Sequence, residues 1–138
     1  MSQLMRSDPE INRKNMALEF LRLAGLGKFK DGLRFFSPDC KTHNPYFSGS
    51  IEQLTDAMVQ ANAKGKAQYP NAEFTVKRAL ADGDYVAVQT NLLNDKNQPA
   101  AGGLRQMHLF RFEGDKIVEY WDITQQIPLG LPNSAGAF

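Results

Sequence analysis

Residues 106–122 read QMHLFRFEGDKIVEYWD, and this stretch decides the fold class. Two apolar-rich runs with strand character flank the turn-forming residues 113–116, Glu-Gly-Asp-Lys. Runs of this kind joined by a short Gly-containing turn are typical of a β-hairpin. We therefore predict strands over residues 104–112 and 117–124, with a tight turn between them.

The length of that turn decides which side chains share a face, because a one-residue slip moves a whole strand to the opposite face. A two-residue loop at 114–115 would put His108 and Asp122 on opposite faces of the sheet. A three-residue loop at 114–116, or a bulge, would put them opposite each other on the same face. The two possibilities therefore predict different sites.

A charged pair favours the second possibility. The three-residue loop pairs Glu113 with Ile117 and sets Arg111 opposite Glu119, which is a favourable cross-strand pair. We predict this register. It gathers polar and aromatic side chains on one face, namely Gln106, His108, Tyr120 and Asp122. It leaves a mostly apolar opposite face, formed by Met107, Leu109, Trp121 and Ile123, that is large enough for a dimer contact.

The side chains of the polar face are suited to acid–base catalysis. A carboxylate in an aromatic-walled pocket can have its pKa moved toward neutrality, so Asp122 could take a proton from a carbon next to a carbonyl. His108 and Gln106 could then donate hydrogen bonds to the enolate oxygen. His43, in the segment Thr42-His43-Asn44-Pro45-Tyr46, would be a second donor at the pocket mouth.

A plainer interpretation exists for each of these residues. His108 and Asp122 on adjacent strands can be a satisfied structural pair, since such pairs also perturb pKa values. His43 before Asn-Pro can simply cap a turn. Trp121 fits a core or interface position better than a ligand-stacking one.

The rest of the chain predicts helices first and strands afterwards. Asp8 and Pro9 are typical of a helix start, and Ser50 with Gln53 forms a capping-box pattern. We predict a helix from Asp8 to Ala24, ended by Gly25 and Gly27, and a short helix over Lys28–Phe36. An extended piece over 40–43 precedes a helix that starts at Ser50, and Gly65 and Pro70 bound the loop after it. Strands follow over 74–80 and 85–93, and a polar loop at 94–103 separates them from the hairpin.

This order predicts an α+β fold with the helices on one face of a curved antiparallel sheet. The length of 138 residues fits one domain over 1–138, with an ordered core at about 8–127 and an irregular tail at 128–138.

Composition excludes several other classes. The net charge of +1 offers no basic excess for nucleic acid, and no apolar run is long enough to span a membrane. Residues 1–6 lack the apolar centre of a signal peptide, and Cys40 is the single cysteine. Two histidines without a dense carboxylate cluster argue against a metal site. We predict a cytoplasmic protein that binds neither nucleic acid nor membrane.

Three segments carry a resemblance to a known family: THNP at 42–45, ADGDYVAV at 81–88 and LFRFEGDKIVEYWD at 109–122. Over about residues 11–128 the chain resembles the SnoaL-like polyketide cyclases of the NTF2-like superfamily, which also contains ketosteroid isomerase and scytalone dehydratase. The resemblance implies a cone of strongly curved antiparallel sheet closed by helices, a homodimer through the outer sheet face, and intramolecular aldol ring closure without metal or organic cofactor.

The resemblance also implies roles for single residues. Asp122 corresponds to the base on the last strand, and His108 with Gln106 to the pair that assists the carbonyl. The expected ligand is a hydrophobic, polyketide- or ring-like small molecule. Its shape would be set by Asn44, Tyr46, Phe20, Leu33, Phe36, Met58, Phe110 and Tyr120. A non-catalytic small-molecule binding protein and a dimerisation module with a filled cone are the alternatives, because fold alone does not settle function.

Overall fold

A computed structural model of the protein describes residues 8–138, so the predicted lack of a signal peptide at residues 1–6 falls outside it. The described residues form, in chain order, α1 (Asp8–Gly25), a 3₁₀ helix (Phe29–Phe35), β1 (Phe36–Thr42), α2 (Ile51–Gln68), β2 (Glu73–Asp82), β3 (Tyr85–Leu93), β4 (Gly103–Glu113) and β5 (Lys116–Ile127). Short 3₁₀ turns lie at Pro99–Ala101 and Ala135–Ala137. In this range three helices pack on a five-stranded open sheet, which confirms the α+β class.

The sheet is mixed, which corrects the prediction of a purely antiparallel one. Its strand order is β1-β5-β4-β3-β2, and β1 runs parallel to β5 at one edge. We predicted only a short extended piece over 40–43, yet β1 begins at Phe36 and contains Pro38. An edge strand tolerates proline because one side of it needs no hydrogen-bond donor.

The helices begin where the sequence predicts, but α2 ends later. The Ser50 side chain accepts a hydrogen bond from the Gln53 backbone N–H, and Gln53 Oε1 accepts one from the Ser50 N–H, so the predicted capping box is present. The helix continues through Gly65 to Gln68. One interior glycine costs a helix only about 1 kcal/mol, which the packing of α2 offsets.

An aromatic core separates α1 from the sheet. Phe20 of α1 makes edge-to-face contacts with Phe36, Phe110 and Tyr120, at ring-centroid distances of 4.9, 6.0 and 6.0 Å. All four rings are at most 4% exposed. Such contacts add to the free energy gained by burying the rings themselves. They fix the inner face of β4 and β5 beneath the helix.

The β4–β5 hairpin has the predicted register, reached by a different route. His108 is opposite Asp122 and Arg111 is opposite Glu119, as the charge pair predicted. The loop, however, has two residues rather than three, since Glu113 pairs with Lys116. Gly114 has a φ of +60°, as the first loop residue of a two-residue hairpin turn requires.

A β-bulge at Val118 restores the register after that short turn. Phe112 pairs with Ile117, the next ladder pair is Arg111 with Glu119, and Val118 is the extra residue. As a result Ile117 and Tyr120, three positions apart, are both buried on the inner face. Of the two routes to this register that the sequence allowed, a three-residue loop or a bulge, the structure has the bulge.

The last strand is longer than predicted. β5 extends to Ile127 instead of Thr124, because Gly103 to Gln106 continue the pairing with β5. In the tail, the Ser134 hydroxyl donates to the carbonyl of Pro128 at 3.1 Å, and Ser134 is buried. None of the helices within residues 8–138 is long and apolar enough to cross a membrane.

Candidate active site

A cavity of about 610 Å³ lies between the helices and the inner face of the sheet. This volume is within the range of about 300–1,000 Å³ that is usual for small-molecule sites. Most of its wall is apolar, and the side chains that contribute include Phe20, Leu21, Met58, Phe74, Leu92 and Leu104. On the inner face of β4 and β5 the wall is polar, with Gln106, His108, Tyr120 and Asp122, and further polar side chains lie on α2 and after β3, among them Asn62, Lys66 and Asn94.

The cavity has a buried end and an exposed end. Phe20, His108 and Tyr120 are at most 5% exposed and close it on the side of the core. Lys66 and Tyr69, at the C-terminal end of α2, are exposed residues of the same wall. The exposed part of the wall therefore includes the end of α2.

Asp122 is the acidic residue of the cavity wall. It is 9% exposed, and its Oδ2 accepts a hydrogen bond from Asn44 Nδ2 at 2.8 Å. Its Oδ1 is buried and has no hydrogen-bond partner among the described residues. Burial raises the pKa of this carboxyl group, and the Asn44 hydrogen bond partly opposes that rise.

Asn44 is held in place by the backbone of its own turn. Its Oδ1 accepts a hydrogen bond from the Tyr46 N–H at 2.8 Å, which leaves Nδ2 to donate to Asp122. This Asx-type turn assigns the orientation of the amide. Asn44, which we predicted to contact the ligand, thus acts directly on the acidic group.

His108 is buried and neutral. Burial lowers its pKa to about 4, and both ring nitrogens are occupied. Nε2 lies 2.9 Å from Thr90 Oγ1, and Nδ1 lies 2.8 Å from the Tyr120 hydroxyl. Although His108 and Asp122 are cross-strand neighbours, these contacts direct the imidazole to Thr90 and Tyr120.

Thr90 connects His108 to Gln106 and fixes the direction of the hydrogen bonds. Its hydroxyl donates to Gln106 Oε1 at 2.9 Å, so its oxygen must accept from His108 Nε2–H. The unprotonated Nδ1 then accepts from the Tyr120 hydroxyl. The result is a directed chain from Tyr120 through His108 and Thr90 to Gln106.

Sequence analysis missed Thr90, although a signal was present. Thr90 is fully buried on the inner face of β3, in alternation with Val86 and Val88. A hydroxyl on an otherwise apolar strand face needs a partner, and His108 and Gln106 supply it.

His43 lies on the other face of the sheet from His108. Its ring stacks on Trp121 at a centroid distance of 4.7 Å, and Nε2 lies 2.7 Å from Glu119 Oε2. Glu119 also accepts from Arg111 Nε at 3.0 Å. The hydrogen bond with His43 has the larger effect, and together with the one from Arg111 it lowers the pKa of the Glu119 carboxyl group. The predicted donor at the pocket mouth is therefore part of an outer-face network.

The remaining predicted ligand contacts fall into three groups. Phe20, Met58 and Tyr120 line the cavity. Phe36 and Phe110 are buried in the aromatic core behind it, and Leu33 packs against that core. Tyr46 is 95% exposed.

No group of three or more His, Cys, Asp or Glu residues within 8–138 is arranged to hold a metal ion. Cys40 is buried, and burial raises the pKa of its thiol to about 12, so it is not a reactive thiolate.

Several solved structures have folds similar to that of this chain. A proposed SnoaL-like polyketide cyclase from Jannaschia sp. CCS1 has a TM-score of 0.63 and 20% identity, covering 88% of this chain and 90% of the other. AclR from Streptomyces galilaeus, a proposed hydroxylase, has a TM-score of 0.63 and 20% identity over 84% and 90% of the chains. A proposed ketosteroid isomerase from Kribbella flavida DSM 17836 has a TM-score of 0.62 and 16% identity over 89% and 84%.

These identities show a shared fold, in line with the expected resemblance to NTF2-like proteins. No curated protein matches the sequence. The family model described as a SnoaL-like domain matches residues 17–120, which is well over half of the chain and includes both strands of the hairpin up to Tyr120. The chain therefore belongs to the family of SnoaL-like domains.

Proposed function

We propose that this protein is a cofactor-independent acid–base enzyme of the cyclase, isomerase or lyase type. It would remove a proton next to a carbonyl group of a hydrophobic, polyketide- or ring-like small molecule. One observation carries the proposal: Asp122 lies in the wall of a mostly apolar cavity, with one carboxylate oxygen held by Asn44 and the other buried without a partner among residues 8–138.

Asp122 has the properties of a general base. Desolvation raises its pKa, which strengthens it as a proton acceptor, and the hydrogen bond from Asn44 partly opposes that rise. A buried carboxylate oxygen without a hydrogen-bond partner lowers the stability of the folded protein. A catalytic role is one reason for which native proteins retain such a group. In the proposed step the C–H bond breaks, its proton moves to Asp122, and its electron pair forms an enolate.

Gln106 is the proposed donor to the enolate oxygen. Its Oε1 is occupied by Thr90, and its Nε2 has only a long contact of 3.4 Å to Thr124 Oγ1. The amide N–H groups of this cavity residue are therefore available to an oxyanion. We expected His108 to share this task, but its two nitrogens are occupied. In the proposal His108 is a positioning residue that orients Gln106 through Thr90.

The structure of the outer face gives His43 no step in this mechanism, since its ring contacts Trp121 and Glu119.

The outer face of the sheet supports a further proposal, a homodimer. Met107 is 46% and Ile123 is 65% exposed there, as expected for residues awaiting a partner. Light scattering of the purified protein and of a Met107→Lys/Ile123→Lys variant would test this. A monomeric wild-type protein would contradict it.

A small-molecule binding protein without catalysis is the second candidate. The mostly apolar wall and the cavity volume of about 610 Å³ favour it, since they suit a bound ring system whether or not the ligand reacts. The two candidates differ in one measurable property, which is proton transfer that depends on Asp122.

Exchange of carbon-bound hydrogen tests the proposal without knowledge of the natural substrate. We expect the protein to accelerate deuterium incorporation next to the carbonyl of 2-tetralone in D₂O, followed by NMR. Asp122→Asn should reduce the rate by about 10²–10⁴-fold. The rate should fall at acidic pH as Asp122 becomes protonated, beginning at a higher pH than for an ordinary carboxyl group, because its pKa is raised.

Asp39→Asn is the matched control, because Asp39 is an exposed carboxylate of β1 outside the cavity wall. It should exchange as fast as the wild-type protein. Binding of 2-tetralone without any acceleration would support the binding protein. Equal acceleration by Asp122→Asn and the wild-type protein would refute Asp122 as the base.

A further inference from the structure

Of the described residues that form the cavity wall, two have a formal charge, and they differ in exposure. Asp122 is at the buried end, and Lys66 is at the exposed end beside the C-terminus of α2. His108 adds no charge at neutral pH because burial lowers its pKa to about 4. The wall between them is mostly apolar.

Lys66 lies at the cavity rim, next to Asn62 of α2 and the turn that follows α1. It follows Asn62 by four residues, so both side chains leave the same face of α2. A Cβ added to Gly27 would lie 2.7 Å from Asn62 Oδ1 and 4.0 Å from Lys66 Nζ. The Lys66 ammonium group therefore lies against the turn that follows α1, where the helix dipole favours a cation.

The ammonium group of Lys66 has no ion-pair or hydrogen-bond partner in the part of the chain that the structure describes. Two lysines of the chain have such partners, since Lys30 is paired with Asp56 and Lys116 Nζ donates to the Arg34 carbonyl at 2.7 Å, whereas Lys66 is distinguished by its place in the cavity wall. Lys66 is thus a cation at the rim of the cavity that can accept an anionic partner.

We infer that the ligand of the proposed enzyme has an acidic group at the end that remains near the cavity mouth, and that Lys66 binds this group. The inference rests on the proposed function and narrows its substrate class to an apolar ring system with a carbonyl at one end and a carboxylate at the other. The amide of Asn62 would add a hydrogen bond to the carboxylate.

The two opposite charges would also orient the ligand. An acid entering with its carboxylate first would bring that group toward the carboxylate form of Asp122 that the proposed proton transfer requires, and the low dielectric of the cavity strengthens the repulsion. With its carboxylate outward it is attracted to Lys66, and its carbonyl end reaches Asp122 and Gln106. The separation of charges in the wall therefore favours the orientation that proton transfer requires.

The test compares an acid with its uncharged ester. We expect 2-naphthoate to bind more tightly than methyl 2-naphthoate by calorimetry. Lys66→Gln should weaken 2-naphthoate binding by about two- to fivefold, as for a partly exposed ion pair, and leave the ester unchanged. The preference of the wild-type protein for the acid should shrink as NaCl is raised, and that of Lys66→Gln should not.

Lys64→Gln is the matched control, because Lys64 is an exposed lysine of the same helix outside the cavity wall. It should keep the preference for the acid. Equal loss in both variants, or equal affinity of the wild-type protein for acid and ester, would overturn the role of Lys66. Exchange of 2-tetralone, which has no acidic group, would still report on Asp122, so the two proposals fail independently. If neither naphthalene probe binds, this inference is refuted.

Discussion

The two faces of the β4–β5 hairpin hold two polar networks that differ in charge and burial. On the inner face Tyr120, His108, Thr90 and Gln106 share hydrogen bonds as neutral groups, and the first three are at most 5% exposed. On the outer face Arg111 forms ion pairs with Glu113 and Glu119, His43 contacts Glu119, and all four side chains are in contact with solvent.

The difference shows that proximity of polar groups alone does not make a site. In the buried network each hydrogen bond constrains the next, so it can present one amide in a fixed orientation. In the solvated network water screens each charge and any member is easily replaced. The same two strands therefore provide a precise inner surface and a tolerant outer one.

The largest effect on stability is expected from a variant in which the two faces of β5 are exchanged. Inserting one alanine between Glu119 and Tyr120 would turn Tyr120 and Asp122 outward and bury charged or exposed side chains in their place. We expect loss of the folded state, a cost above about 4 kcal/mol, visible as a lost thermal transition in circular dichroism.

Deletion of Val118 is the control for this insertion. Because Val118 is the bulged residue, its removal leaves Arg111 opposite Glu119 and His108 opposite Asp122. The deletion variant should therefore still melt cooperatively. If it unfolds as completely as the insertion variant, the bulge does not set the register.

Acid should weaken the inner network in particular. The ordinary pKa of histidine is 6.5, whereas burial lowers that of His108 to about 4. Between these values the unfolded chain binds a proton that the folded chain does not, so stability falls as pH falls from about 6.5 to about 4. His108 alone contributes a loss of about 3 kcal/mol over this range.

The measurement is the melting temperature of the wild-type protein and His108→Gln as a function of pH. Asp122 acts in the opposite direction, because its raised pKa favours the folded state as pH falls, and the comparison removes this common effect. The wild-type curve should fall more steeply below pH 6.5. Parallel curves would show that His108 does not titrate in this way.

Removal of one hydroxyl should affect the inner face by an intermediate amount. Tyr120→Phe leaves His108 Nδ1 buried without a partner, at a cost of about 1–3 kcal/mol. Tyr85→Phe is the control, since Tyr85 is 44% exposed at the start of β3. Urea denaturation should separate the two variants. If both are equally stable, the Tyr120–His108 hydrogen bond contributes nothing.

The outer network should give the smallest effect. Glu119→Gln removes the charge that His43 and Arg111 share, but both partners retain contact with water. Its melting temperature should fall less than that of Tyr120→Phe, and the difference from the wild-type protein should disappear in 1 M NaCl. A salt-independent loss larger than that of Tyr120→Phe would reverse the comparison between the two faces.

Sequence reasoning predicted the hairpin well because local patterns determine it. The pairing of Arg111 with Glu119 indicated the correct register, although the turn proved shorter. A bulge cannot be recognised in advance from the sequence, since any residue near the turn can occupy it. Val118 has no property that sets it apart from Ile117.

The position of His43 could not be predicted in the same way. It belongs to a separate segment, and its face depends on how β1 docks on β5, which is a property of the whole fold. The neighbouring Asn44 reaches Asp122 because the backbone places consecutive residues on different sides. Lys66 was missed because it lies outside the hairpin, on a helix whose C-terminal end the sequence analysis placed too early.

The parallel pairing of β1 with β5 has a consequence for the order of assembly. Asn44 and Asp122 are 78 residues apart in sequence. During synthesis Asn44 is therefore made long before Asp122, and their hydrogen bond cannot form in between. Closing so long a loop is entropically slow, and contacts of this range lower folding rates. The hydrogen bond that holds the Asp122 carboxylate can therefore form only after the chain has been made through all five strands of the sheet.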